Sequence, residues 1–355
     1  MKAVVLRSAN DLAVLDVPLP ILKPGWALVR VTHCGICGSD IRYFRGDNPW
    51  AKQTLGRHIA NPKNIILGHE ITGIVAEIGP GVPDNLIGKR VAVLAFGTCG
   101  VCVHCRRGEE HLCERTQHLG HGAGWEDLDY YYGGMAEYVP VDHKWLVPLP
   151  DQVSNEAGAL LDPLGVAVHA VRKTNIQDGD TILVVGGGAV GQLVIQVAKA
   201  IANAQVVLVD LCKPVLEVAT RMGADAAFTP DLRELSESVM GLSGGYGCRA
   251  IIDTVGASLG DYLPLLARGG TYVIMTVTDE LQKLHTISLA GERALVSSCN
   301  FRFSEYYEGL SLLQGCKIKP APVITHRFHL SNAIEAFRTA ENKSETGAVK
   351  VMLYT

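Results

Sequence analysis

No stretch of this 355-residue chain stays apolar for the roughly 20 residues needed to cross a bilayer, which excludes a membrane-spanning helix. Met1 leads directly into Lys2-Ala3-Val4-Val5-Leu6, a strand-like segment without the long apolar core and small-residue cleavage site of an export signal. There is no basic run and the net charge is only −4, so nucleic acid finds no electrostatic footprint here. Internal repeats and low-complexity tracts are missing as well. What remains is ordinary globular material, 48% hydrophobic and 19% charged, and long enough for two domains. Ten cysteines in a chain without an export signal suggest metal ligands and reduced thiols, and a cytoplasmic location.

Four of those cysteines stand in one short run, Cys99-Gly-Val-Cys102-Val-His-Cys105 and then Cys113. Thiolates at such spacing close into a tetrahedral shell that holds zinc with no open position, so the site is structural. A pair of disulfides is the competing reading, and it lacks the secreted context it needs.

The texture of the chain changes near Ser154. Before it, short β-branched runs at 27–31, 71–75 and 90–93 are separated by Gly and Pro, as in a compact β-rich domain. After it, apolar strands at 181–185, 206–210, 250–253 and 271–275 alternate with helical patterns, which argues for parallel βαβ units. Near Leu295 the chain is expected to leave that pattern. A helix follows at 305–313, and a final strand at 348–353 returns to the first domain. The expected fold is α/β, with a β-rich domain at 1–153 completed by 296–355 and a doubly wound parallel-sheet domain at 154–295.

The strand at 181–185 runs into Gly186-Gly187-Gly188-Ala189-Val190-Gly191, which opens a helix. Gly186 permits the turn, Gly188 lets the backbone approach a pyrophosphate, and Gly191 allows close helix–strand packing. The helix N-terminus offers amide donors to the phosphates. Asp210 ends the next strand 19 residues beyond Gly191, where its carboxylate can bind a ribose diol and repel a 2′-phosphate. NAD is therefore favoured over NADP, with Lys213 the nearest cation to soften the preference.

Two further clusters carry ligands suited to an open metal site. They are Cys34-Gly35-Ile36-Cys37-Gly38-Ser39-Asp40 and Gly68-His69-Glu70. Either alone is unremarkable, since a lone Cys or His is more often a packed core group. With the cysteine lobe, Gly133-Gly134-Met135-Ala136-Glu137-Tyr138, the glycine loop and Thr325-His326-Arg327-Phe328, the set resembles the zinc-dependent medium-chain dehydrogenase/reductase superfamily. The likeness is to its sorbitol (polyol) and threonine dehydrogenase branch, and it covers essentially the whole chain.

That resemblance implies a GroES-like catalytic domain and a Rossmann domain, with one catalytic and one structural zinc. It makes Cys37 and His69 ligands of the catalytic zinc and leaves the third ligand open between Glu70 and Asp162. A zinc with mixed S, N and O ligands acts as a Lewis acid on an alcohol, while the nicotinamide accepts the hydride. Ser39 falls where the family places the hydroxyl that carries the alcohol proton outward. Arg42 stands where many relatives continue that relay with a His. Arg cannot serve as a base at neutral pH, so its role is left between a substrate or phosphate contact and a solvated surface position. Tyr43 and Arg302 fall where polyol relatives line the substrate pocket.

Two long aromatic segments, 46–64 and 118–133, look particular to this chain and suited to shaping a pocket or an oligomer interface. The reading is a dehydrogenase that oxidises a secondary alcohol of a polyol, sugar or cyclitol, assembled as a homo-oligomer, a dimer or tetramer. The alternatives are an L-threonine-type amino-alcohol dehydrogenase, a catalytically silent NAD-binding homologue, and a zinc-finger nucleic-acid module. Against the last, Glu109, Glu110 and Glu114 offset Arg106, Arg107 and Arg115.

Overall fold

The computed structural model describes residues 1–355. They divide into two compact units, one of 1–162, 324–342 and 350–355 and the other of 163–323 and 343–349.

The first unit is built mainly on antiparallel sheet, with one parallel pair, Ile324–His329 and Lys350–Tyr354. Its larger sheet runs in the order Leu146–Pro148, Arg90–Val93, Glu70–Ile78, Trp26–Ile36, Lys350–Tyr354 and Ile324–His329, with Tyr138–Asp142 also paired to Trp26–Ile36. The C-terminal strand lies against the N-terminal part of the chain, Val351 opposite Ile36 and Leu353 opposite Cys34. Val29, Val31, Val91, Val93, Val139 and Met352 are fully or almost fully buried. A smaller antiparallel sheet joins Asp11–Asp16, Lys2–Ser8 and Ile65–Ile66.

The second unit contains a six-stranded parallel sheet in the order Ala226–Phe228, Gln205–Val209, Thr181–Val185, Cys248–Asp253, Leu266–Ile274 and Ala294–Ser297. Numbered along the chain this is 3-2-1-4-5-6, the doubly wound order whose switch point lies beside the first strand. Thr181–Val185 is buried at all five positions, as a strand covered on both faces must be.

The parallel pattern reaches further than expected. Ala294–Ser297 is a sixth parallel strand and not a departure from the sheet. The segment after it stays with the second unit because Glu305 bonds His169 at 2.9 Å and Gln196 bonds Lys319 through both its amide atoms. At the other boundary, Asn155–Ala159 belongs with the first unit. Thr72 donates to the Asn155 carbonyl at 3.0 Å, and Gly158 packs against Leu149 and Thr72. No helix is long and apolar enough to cross a membrane.

Candidate metal centres and dinucleotide loop

Short turns bring Cys99, Cys102, Cys105 and Cys113 together, so that their sulfurs all lie within 4.8 Å of one another. Cys102 caps the helix Val103–Arg106 and its sulfur accepts the Cys105 N–H at 3.5 Å, while Cys113 sulfur accepts the Cys99 N–H at 3.5 Å. The closest sulfurs, Cys102 and Cys105, are 3.4 Å apart, and all four thiols are free. Backbone N–H groups of Val101 and Cys102 pull the Cys99 thiol down to about 6. Burial and the neighbouring thiols push Cys105 up to about 12. Four soft donors around one point fit a closed zinc shell and little else.

The second cluster is assembled by Asp40. Trp26–Ile36 ends one residue before Cys37, which caps the helix Gly38–Phe44. Asp40, three residues on, accepts the Cys37 N–H at 2.8 Å with one oxygen and the Gly68 N–H at 3.3 Å with the other. That second oxygen stands 3.6 Å from Nδ1 of His69. At that distance the carboxylate is a charge partner and not a hydrogen-bond acceptor for the imidazole, and Nε2 is left for the metal. Burial alone would lower the His69 pKa, but Asp40 reverses this and holds it well above the usual value. Gly68 makes the turn possible: its φ is +94°, and a Cβ there would lie 2.6 Å from Cys34 sulfur and from Met135.

Donor atoms of Cys37, His69 and Glu70 lie within 4.8 Å of one another. Glu70 is fully buried, and Lys350 holds both its carboxylate oxygens, at 2.5 and 2.7 Å, while also donating to the Ile36 carbonyl. The mixed S, N and O set fits a catalytic zinc. Asp162, at the start of Leu161–Arg172, is buried but lies outside this cluster. Burial, reinforced by Glu70 and opposed by His69, pushes its carboxyl up to about 7. Ser39 sits beside the centre, its hydroxyl 3.5 Å from His69 Nε2.

In the second unit Gly186 takes φ +93°, and a Cβ on Gly191 would lie 2.0 Å from the Gly186 carbonyl oxygen. Gly188 caps Ala189–Ala202, in which Val190 is the second residue, and nothing lies within 4 Å of where its Cβ would be. Asp210 faces the loop: its carboxylate accepts N–H groups of Gly187 at 2.7 Å and Cys212 at 2.8 Å. This is the cradle a dinucleotide pyrophosphate requires.

Residues 23–151 match the alcohol dehydrogenase GroES-like domain, and 189–315 match the zinc-binding dehydrogenase domain. The chain is 31% identical to a probable D-xylulose reductase A from Neosartorya fischeri, over 94% of this chain and 92% of that protein. It belongs to the zinc-dependent alcohol dehydrogenase family. It is also 28% identical to sorbitol dehydrogenase from Bacillus subtilis, over 100% of this chain and 97% of that one. Among solved structures, an alcohol dehydrogenase (rspB) from Escherichia coli CFT073 in complex with NADH superposes with a TM-score of 0.87. The two chains share 28% identity, over 100% of this chain and 99% of that one.

The remaining candidate residues of this alcohol dehydrogenase are placed as follows. Arg42 is engaged by Asp47, through Nε at 2.8 Å and Nη2 at 2.5 Å, and Lys52 binds the other Asp47 oxygen at 3.0 Å. Arg42 is therefore a partly exposed cation in an ion pair with Asp47. Tyr43 is buried, donates to Asn48 at 3.0 Å and lies against His121 with ring centroids 4.5 Å apart. Arg302 is exposed and precedes the helix Phe303–Gln314 in the second unit, its N–H bonded to Glu305.

Asp40 and Lys350 carry no role in the sequence reading. Asp40 had a signal, an acid three residues into a helix capped by a proposed ligand. Lys350 had none.

Proposed function

We propose that this enzyme oxidises a secondary alcohol of a polyol, sugar or cyclitol to the ketone, with NAD as hydride acceptor. The observation that carries the reading is the gathering of Cys37, His69 and Glu70 around one point, with Asp40 as the charge partner of His69. When bound, zinc supplies a Lewis acid that acidifies an alcohol, and the nicotinamide takes up the hydride.

The chain supplies the rest. Cys37, His69 and Glu70 hold the metal, with Asp162 as a further carboxylate beside them. Ser39 takes the alcohol proton outward. Arg42 stays a permanent cation paired with Asp47 and so would not take up that proton. With a dinucleotide bound, Asp210 would hold the adenosine ribose and disfavour a 2′-phosphate, and Gly186, Gly188, Val190 and Gly191 would line the pyrophosphate. Likeness to sorbitol dehydrogenase and D-xylulose reductase supports a hydroxyl-rich substrate. The family likeness also supports a homo-oligomer, to be measured by light scattering.

The test is NAD reduction against polyols, inositols, aldoses, L-threonine and simple alcohols, with and without a zinc chelator and again with NADP. Chelator-sensitive turnover of a polyol or cyclitol with NAD is the expected result. Turnover of threonine alone would replace this reading with an amino-alcohol dehydrogenase, and silence across the panel with zinc and NADH bound would overturn it.

A further inference from the structure

Beside the catalytic cluster lies a stack of imidazoles that the reaction as described does not use. His118 and His121 lie face to face, ring centroids 3.8 Å apart and planes 13° from parallel. His69 meets both edge-on, at 5.7 Å from His118 and 4.9 Å from His121. Tyr43 closes the far side of His121 at 4.5 Å, and Phe96 stacks on His118 at 5.7 Å. All these rings are more than nine-tenths buried.

The chain is shaped to hold this stack against the metal ligand. Gly120, at φ +75°, passes so close to Gly68 that a Cβ would lie 2.7 Å from the Gly68 carbonyl oxygen. Leu119 donates to the Ala95 carbonyl and Gly120 to the Tyr132 carbonyl, at 2.8 and 2.7 Å. The segment is therefore anchored between the two histidines.

Apolar rings would fill this wall at lower cost, because a buried imidazole without partners forfeits hydrogen bonds it makes in water. His118 spends Nδ1–H on the Leu119 carbonyl at 2.7 Å, which fixes its tautomer and leaves Nε2 as an acceptor. Neither nitrogen of His121 meets a partner in the protein. A stack that touches a catalytic metal ligand and leaves His118 Nε2 as an unused acceptor is suited to a substrate bearing a second polar group next to the oxidised carbon.

We propose that His118, held by the stacked His121, is a specificity-determining residue that binds a hydroxyl vicinal to the one being oxidised, so that the enzyme selects vicinal diols over mono-alcohols. This rests on the dehydrogenase reading above and names the residue that would set its substrate preference. His118 Nε2 accepts the hydroxyl proton, and His121, whose nitrogens are sealed inside the protein, holds the His118 ring in place by stacking.

The zinc-loaded enzyme is assayed with NAD on vicinal diols and on mono-alcohols of the same skeleton: 2,3-butanediol against 2-butanol, and 1,2-cyclohexanediol against cyclohexanol. His118→Phe and His121→Phe keep the stacked rings and remove the nitrogens, and His118→Asn restores a hydrogen-bonding side chain. A site built to bond a hydroxyl rejects the analogue lacking it, so the wild type should favour the diol by at least about tenfold in kcat/KM. His118→Phe should narrow that ratio to within about twofold through a raised diol KM, with His118→Asn recovering part of it, whereas His121→Phe, which keeps the stack, should leave the ratio unchanged. Zinc content and NADH binding should stay unchanged. A wild type without diol preference, or a His118→Phe variant that loses diol and mono-alcohol activity equally, would overturn the proposal. Silence on every alcohol with zinc and NADH bound would instead overturn the dehydrogenase reading, and this inference with it.

Discussion

The ammonium of Lys350 lies 2.5 and 2.7 Å from the two carboxylate oxygens of Glu70, 280 residues away in sequence, and both side chains are buried. Burial alone would lower the lysine pKa, but Glu70 and the other acids around it raise it instead. The carboxylate fits only because residue 35 is glycine: a Cβ there would lie 1.8 Å from a Glu70 oxygen. The last strand of the chain thus fixes the orientation of a carboxylate in the catalytic cluster.

Lys350→Met would leave that carboxylate charged, buried and unpaired. Breaking a buried pair from one side costs about 3–5 kcal/mol, whereas Lys350→Met combined with Glu70→Gln should recover much of the loss. Denaturant unfolding of protein whose catalytic site is metal-free, so that no zinc neutralises Glu70, reads both. A loss below about 1 kcal/mol for the single variant would mean that water or another group satisfies Glu70.

Cys105→Ser removes one sulfur from a closed shell and touches nothing in the cluster around Cys37. Elemental analysis should show zinc falling from about two to about one per chain, with a lower unfolding temperature, since a structural zinc contributes folding energy. Loss of both metals, or of neither, would contradict two independent sites.

Asp210 presents its carboxylate to the glycine loop through Gly187 and Cys212. Hydrogen bonds to a charged group are worth about 1.5–3 kcal/mol, so Asp210→Ser should weaken NADH binding by about tenfold or more. The same change should narrow the preference over NADPH by removing a charge that repels the 2′-phosphate. Fluorescence titration with both nucleotides checks it, and an unchanged ratio would remove Asp210 from cofactor selection.

Glu156 is held below its ordinary pKa, chiefly by its hydrogen bond to Arg327. A carboxylate with a depressed folded pKa stabilises the native state above its unfolded value of 4.5, and that gain is lost as pH falls through the lower folded value. Because Arg327 is 44% exposed, screening keeps the gain below about 1 kcal/mol. Glu156→Gln should therefore be slightly less stable than wild type at neutral pH and equal to it near pH 3, provided the protein still folds there. Thermal melts across that range read the difference, and a gap that widens in acid would contradict this assignment.

Much of the site was legible in the sequence because its groups are contiguous and chemically narrow. Cys99, Cys102, Cys105 and Cys113 announce a metal by spacing alone, and Gly186–Gly191 followed by Asp210 announces a dinucleotide. The groups that were not legible act through contacts that no local pattern marks. Nothing near Lys350 points to Glu70, and nothing near Arg42 shows that Asp47, five residues on, takes its charge. The stacking of His118 on His121 beside His69 depends on Gly120 lying against Gly68, a contact between loops. In the fold, the pattern of Thr181–Val185 is plain because both faces are covered. Ala294–Ser297 is an edge strand with half-buried and exposed positions, and it carries too little pattern to be recognised.

The central claim is that Cys37 and His69 hold a zinc on which alcohol oxidation depends. The most direct measurement follows zinc content and alcohol-dependent NAD reduction together, through chelation and zinc re-addition, in wild type and in Cys37→Ser. Activity should disappear with about one zinc per chain and return with it in the wild type. Cys37→Ser should bind NADH normally, keep the zinc of the cysteine lobe and oxidise no alcohol. Full activity in metal-depleted protein, or in Cys37→Ser, would contradict the account.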